Sequence, residues 1–127
     1  MKKYLIMILF VLAISAQDKQ FSTGTIAIGD SNLVVDLGKK MGGVDYQFVG
    51  FATDTAMTST ALTFQVYDEQ KGQYTDLYNT SNTAVSYTVA ANRFYQVDPD
   101  IFYAIRKFKM VFGTAEAAAR EITIVKQ

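Results

Sequence analysis

From Ala61 onward, apolar and polar residues exchange places at almost every step. Leu62, Phe64 and Val66 alternate with Thr63, Gln65 and Tyr67. That period of two sends successive side chains to opposite faces of a half-buried strand. Val85, Tyr87 and Val89 alternate in the same way with Ala84, Ser86 and Thr88, and Lys107 and Lys109 alternate with Phe108, Met110 and Phe112. Shorter apolar stretches at Thr25–Ile28, Asn32–Leu37, Tyr74–Tyr78, Phe94–Val97 and around Ile122 and Ile124 complete the strand pattern. Asp45–Phe51 fits with one slip, because Tyr46 and Phe48 share a parity that Phe51 does not. Between these runs lie turn compositions: Gly29-Asp30-Ser31, Asp68 to Gln73, and Asn79 to Asn82. Gly38–Gly43 reads as a loop, Thr53–Thr60 as a surface loop and Gly113–Ala119 as a small-residue loop.

Proline occurs once, and it cannot donate to a strand ladder, so the strand before Asp98-Pro99-Asp100 stops there. Asp98 suits an N-cap with Pro99 at the first helical position, which predicts one helical turn over Pro99–Ala104. About eight strands with turn signals about every 8–12 residues predict an all-β chain: an antiparallel β-sandwich or jelly roll. No internal repeat or linker divides it.

The first residues follow another rule. Lys2 and Lys3 precede an apolar run from Tyr4 to Ile14, and Ser15 and Ala16 follow. That is the order of a secretory signal, and the run is shorter than the ~20 residues a membrane-spanning helix needs. Residues 1–16 are therefore expected to be a signal-like segment, cut after Ala16 or else retained against an apolar surface. Residues 17–127 form the sandwich domain, with no stable membrane span in the mature chain.

Composition narrows the chemistry. The chain has no histidine and no cysteine, so it lacks the commonest general base, the best nucleophile and the two favoured zinc ligands. Basic and acidic residues balance at 12 each, without the basic excess of a nucleic-acid binder. Arg106, Lys107 and Lys109 read as a solvated strand face. Asp98 and Asp100 suit a turn better than a calcium loop, and Asp68 and Glu69 suit a hairpin tip better than an acid–base pair. The glycines of the Gly38–Gly43 loop have no phosphate-loop order. The Asn79-Thr80-Ser81 sequon is formal only. No enzyme activity, catalytic residue, cofactor or metal is expected.

What remains is aromatic: eight tyrosines and nine phenylalanines. Tyr67, Tyr74, Tyr78, Tyr87 and Tyr95 crowd the central strands. Tyrosine both fills pleated surfaces and anchors contacts to proteins or sugars. These five are the candidate surface or assembly contacts.

The order of segments also resembles small virion-associated structural proteins of tailed bacteriophages. The similarity runs from Thr25 to Lys126 and rests on the Leu62–Tyr67 strand, the Tyr74–Asn79 return, Ala91–Phe94, the Val97–Pro99 stop, Ala104–Lys109 and the Ala118–Val125 end. A more distant resemblance is to discoidin-like jelly rolls. The phage resemblance implies a β-sandwich that decorates a head, forms a head fibre or joins a tail, and that assembles with itself or other virion proteins. The discoidin-like one implies a secreted module binding a glycan or a cell-surface partner. An export-like N-terminus is unusual for the first, and DEQKGQ stands where relatives of that kind carry a shorter turn.

Overall fold

The computed structural model describes residues 19–127, so the signal-like segment at 1–16 lies outside the described residues. The remainder folds as nine strands: β1 (Gln20–Ile26), β2 (Asn32–Asp36), β3 (Phe48–Ala52), β4 (Ala61–Asp68), β5 (Gln73–Asp76), β6 (Ser86–Thr88), β7 (Phe94–Gln96), β8 (Lys107–Phe112) and β9 (Arg120–Lys126). All pairings are antiparallel. One sheet runs β1-β9-β3-β7; the other runs β2-β8-β4-β5, with β6 also on β4.

This order is a jelly roll. Strands β1 and β2 return against β9 and β8, and β3 and β4 then pack on the far side of the same two strands. β5 pairs with Gln65–Asp68 and β6 with Ala61–Thr63, so the two share one edge of β4 end to end. Counted as one interrupted strand, they bring nine back to the eight of the jelly-roll pattern. The order does not single out the discoidin-like resemblance.

The alternation seen in the sequence becomes the core. In β8 the positions Phe108, Met110 and Phe112 are buried while Lys107, Lys109 and Val111 are not. Leu62 and Phe64 meet them from β4, and Phe48, Phe51, Ile122 and Ile124 close the core from the other sheet. The slip in the third strand is a β-bulge: the register on β9 shifts between Phe48 and Gly50. One extra residue lets Phe48 and Phe51, three positions apart, both point inward. Phe48 lies 4.8 Å from Phe108 and 5.0 Å from Phe102, centroid to centroid.

Three expectations change. The first strand starts at Gln20, not Thr25, and ends at Ile26. Its early residues, Phe21 apart, are polar and lie exposed at a sheet edge. Pro99–Ala104 forms two successive turns rather than a helical turn. Ile101 N donates to Asp98 O and Ile105 N to Phe102 O, and the Asp98 carboxylate accepts from Asp100 N at 3.0 Å. So short a segment has too little helical hydrogen bonding to hold itself. Phe102, fully buried among Phe48, Phe64 and Phe108, fixes it instead. Finally, the Thr53–Thr60 loop is not simply surface, since Thr53 and Ser59 are buried, as is Glu116 in the Gly113–Ala119 loop.

Glu116 locks that end of the sandwich. Its two carboxylate oxygens accept from Thr58 N and Ser59 N, both at 2.8 Å, and one also accepts from Arg120 Nε at 3.0 Å. Its backbone exchanges hydrogen bonds with the β1–β2 turn, accepting from Gly29 N and donating to Asp30 O. Burial alone would raise the Glu116 carboxyl, but the two backbone donors and the Arg120 guanidinium outweigh it and hold the pKa below its ordinary value. Asp54 binds the same end: it accepts from Glu121 N and Thr55 N, and these bonds lower its pKa. Two carboxylates thereby tie the β3–β4 loop to the β8–β9 loop and the start of β9, and the Glu116 backbone adds the β1–β2 turn.

Candidate association surfaces

The five sequence-predicted tyrosines do not form one patch. Tyr67 and Tyr74 are direct cross-strand partners on β4 and β5, with ring centroids 5.2 Å apart. They lie on the outer face of the second sheet, where β8 places a lysine over each. Lys107 Nζ stands 4.5 Å from the Tyr67 centroid and Lys109 Nζ 4.3 Å from that of Tyr74. Beside them Gln65 Nε2 donates to Asp76 at 3.0 Å. Arg106 approaches Asp36 at 3.6 Å. The basic stripe is thus solvated, but its lysines are engaged with tyrosine faces, an arrangement worth about 0.5–1 kcal/mol per pair at an exposed site.

Tyr78 is exposed and begins a separate loop, bridged to Ala84 and closed by the Asn79 side chain, which accepts from Ser81 N and Thr83 N. Tyr87 and Tyr95 pack against the core. Tyr87 faces inward opposite Leu62, with its ring 5.9 Å from those of both Phe51 and Phe64. Burial raises its pKa, and the neighbouring Asp98 carboxylate adds to the rise against a hydrogen bond from the Asp98 backbone. Tyr95 stacks on Phe51 at 5.1 Å, and its hydroxyl accepts from Ala90 N at 2.7 Å. The pattern in sequence could not separate these roles, because parity on β6 and β7 depends on which sheet each strand joins.

An exposed aromatic surface that the sequence reading missed lies on the other sheet. Across its outer face Phe21 of β1 pairs with Val125 of β9, and Val125 with Gly50 of β3. The Phe94 ring lies over Gly50: a Cβ added there would fall 2.7 Å from Phe94 Cζ and 2.9 Å from Tyr95 O. Gly50 is therefore required for this packing. Val125 is only 2% exposed, yet it lies outside the central core cluster. Phe21 is 68% exposed and Phe94 54%. A mainly apolar groove of about 440 Å³ runs between them, floored by Val49, Val97, Pro99 and Val125. One sequence signal pointed here. The Ile124-Val125 doublet breaks alternation, which means that both faces of β9 are covered.

A second cleft, about 340 Å³, opens at the end of the sandwich away from Glu116. Val66, Tyr67, Ala104 and Ile105 meet the charged Lys39, Asp45, Glu69, Arg106 and Lys107 there. Ala104 on its wall has φ +61°, a left-handed conformation costly for a residue with a Cβ. Among the described residues no group of three or more acidic side chains is placed to hold a metal ion, and no helix is long and apolar enough to cross a membrane.

No protein-family model matches this chain, and no curated protein matches its sequence. Among solved structures it is similar to the SPBc2 prophage-derived protein YomS, at 15% identity and a TM-score of 0.46, covering 85% of this chain and 93% of that one. It is also similar to the Yersinia pseudotuberculosis-derived mitogen, at 9% identity and a TM-score of 0.40, covering 86% and 84%. The description of the fold rests on the strand order itself.

Proposed function

We propose that this chain is a non-enzymatic structural or accessory protein of a bacteriophage virion, a head-decoration, head-fibre or tail-associated component, acting through protein–protein assembly. The observation that carries the assembly reading is the apolar outer face of the first sheet. There Phe21 and Phe94 stand exposed on either side of a groove floored by Val125. Exposed phenylalanines gathered around one mainly apolar groove support an interaction surface. The virion assignment comes from the sequence resemblance over Thr25–Lys126. The jelly roll, an architecture of viral capsid and lectin domains alike, is compatible with it without deciding it. Its partners are then other virion proteins or further copies of itself, with no nucleic acid among them. The test is proteomics of purified particles from a producing host. The chain is expected in stoichiometric amount, and its absence from particles removes the virion reading.

A second reading has its own support. The mixed-charge cleft beside Tyr67 offers a ring face with acidic and basic side chains around it, the elements of a sugar site. On that reading the chain is a secreted module that binds carbohydrate or a cell-surface partner, and its N-terminal segment directs export. Glycan-array binding that Tyr67→Ala abolishes would support it; an array without hits would remove the glycan.

A further inference from the structure

A β-sandwich exposes up to four edge strands, and each is a row of unpaired backbone donors and acceptors that proteins ordinarily blunt by shortness or charge. Three edges here are blunted. β7 has three residues. The β5 and β6 edge is broken into pieces of four and three residues, with Asp76 at one end. β2 has five residues and ends in Asp36, which Arg106 approaches. β1 is different. It is seven residues long, reads QFSTGTI and carries no charge or proline. Among the described residues, Gln20–Ile26 make no backbone hydrogen bond except in the ladder with β9. Since an antiparallel strand directs alternate residues' N–H and C=O groups to either side, half of the β1 groups point away from the sheet.

We infer that β1 pairs antiparallel with β1 of a second copy of this chain, joining two four-stranded sheets into one eight-stranded sheet about a two-fold axis. This rests on the assembly reading above and names its partner. The strand is its own complement. About an axis near Thr23, Phe21 of each copy lies opposite Thr25 of the other, an aromatic facing a β-branched residue, and no charge opposes another. Any such residue-centred register keeps Phe21, Thr23 and Thr25 on the outer face in both copies. The two Phe21–Phe94 grooves then lie on one continuous surface, and the two-fold closes without leaving another β1 edge free. An extended peptide of unrelated sequence could use the same edge, but it lacks this internal match.

Sedimentation of the full chain, and of a chain starting at Gln17, tests the pairing. Both are expected to form a reversible dimer. Thr23→Lys puts like charges across the axis and should raise the dissociation constant by about tenfold or more, while cooperative thermal unfolding is kept. Phe94→Ser, away from the edge, should change it far less. A dimer indifferent to Thr23→Lys, or one lost instead with Phe94→Ser, overturns the edge pairing. A dimer formed only with residues 1–16 present does the same. A monomer found on particles overturns the pairing and leaves the assembly reading standing, as does a monomer that captures a foreign strand along β1. A monomer absent from particles ends both.

Discussion

The two outer faces of this sandwich are built from similar residues and behave differently. On the second sheet Tyr67 and Tyr74 lie against each other under Lys107 and Lys109, so each ring has a cation over one face and each cation a ring. On the first sheet Phe21 and Phe94 bury Val125 beneath them and leave their own outer surfaces bare. The lesson concerns availability. Aromatic residues on a sheet make an association surface when nothing in their own chain satisfies them, and counting them does not reveal this. Phenylalanine has no polar handle to satisfy. Its exposure on one face, beside a mainly apolar groove, is the stronger sign of a partner.

Both faces depend on the frame that Glu116 closes, and breaking that frame should have the largest effect. Glu116→Ala leaves the Thr58 and Ser59 N–H groups and the Arg120 guanidinium without their acceptor. We expect a loss of about 3 kcal/mol, read from urea denaturation. The same clamp gives a pH dependence. Glu116 and Asp54 have folded pKa values below their ordinary 4.5 and 3.8. Their contribution is fully present above those ordinary values and is lost as pH falls through the lowered ones. The denaturation midpoint should therefore drop on acidification below about pH 4.5, and Glu116→Gln should flatten that slope.

Next in size is Gly50→Ala. The added methyl would meet the Phe94 ring and the Tyr95 carbonyl oxygen, and that backbone atom cannot swing away. A cost of about 2 kcal/mol is expected, with Phe94 displaced and the apolar groove that it lines disturbed. An unchanged midpoint and an unmoved Phe94 ring signal would show that the apolar face does not depend on this contact. The smallest effects belong to the other face. Lys107→Ala or Lys109→Ala should each cost about 0.5 kcal/mol and leave association unaltered. If either lysine variant weakens assembly more than Phe94→Ser does, the contrast between the two faces is reversed.

The architecture was legible because burial on one face of a strand writes itself into every second residue. The runs around Leu62, Val85 and Phe108 predicted strands, and the out-of-step Phe51 stands where the structure has its bulge. Turns at Gly29-Asp30-Ser31 and Asn79–Asn82 followed from residues whose side chains or φ freedom act locally. Long-range facts left no such trace. Glu116 stands in a run of small residues between Thr114 and Ala119, and only folding brings Thr58, Ser59 and Arg120 to it. Phe21 sits among polar residues, and its exposure depends on β1 being an edge. Tyr67 and Tyr87 look alike along the chain, but one lies under a lysine and the other against Phe51 and Phe64. The sequence alone determined where strands form, because that depends on neighbours a few residues apart. Which face is bare, which edge is open and which carboxylate is buried were decided by tertiary structure, because each depends on residues tens of positions away.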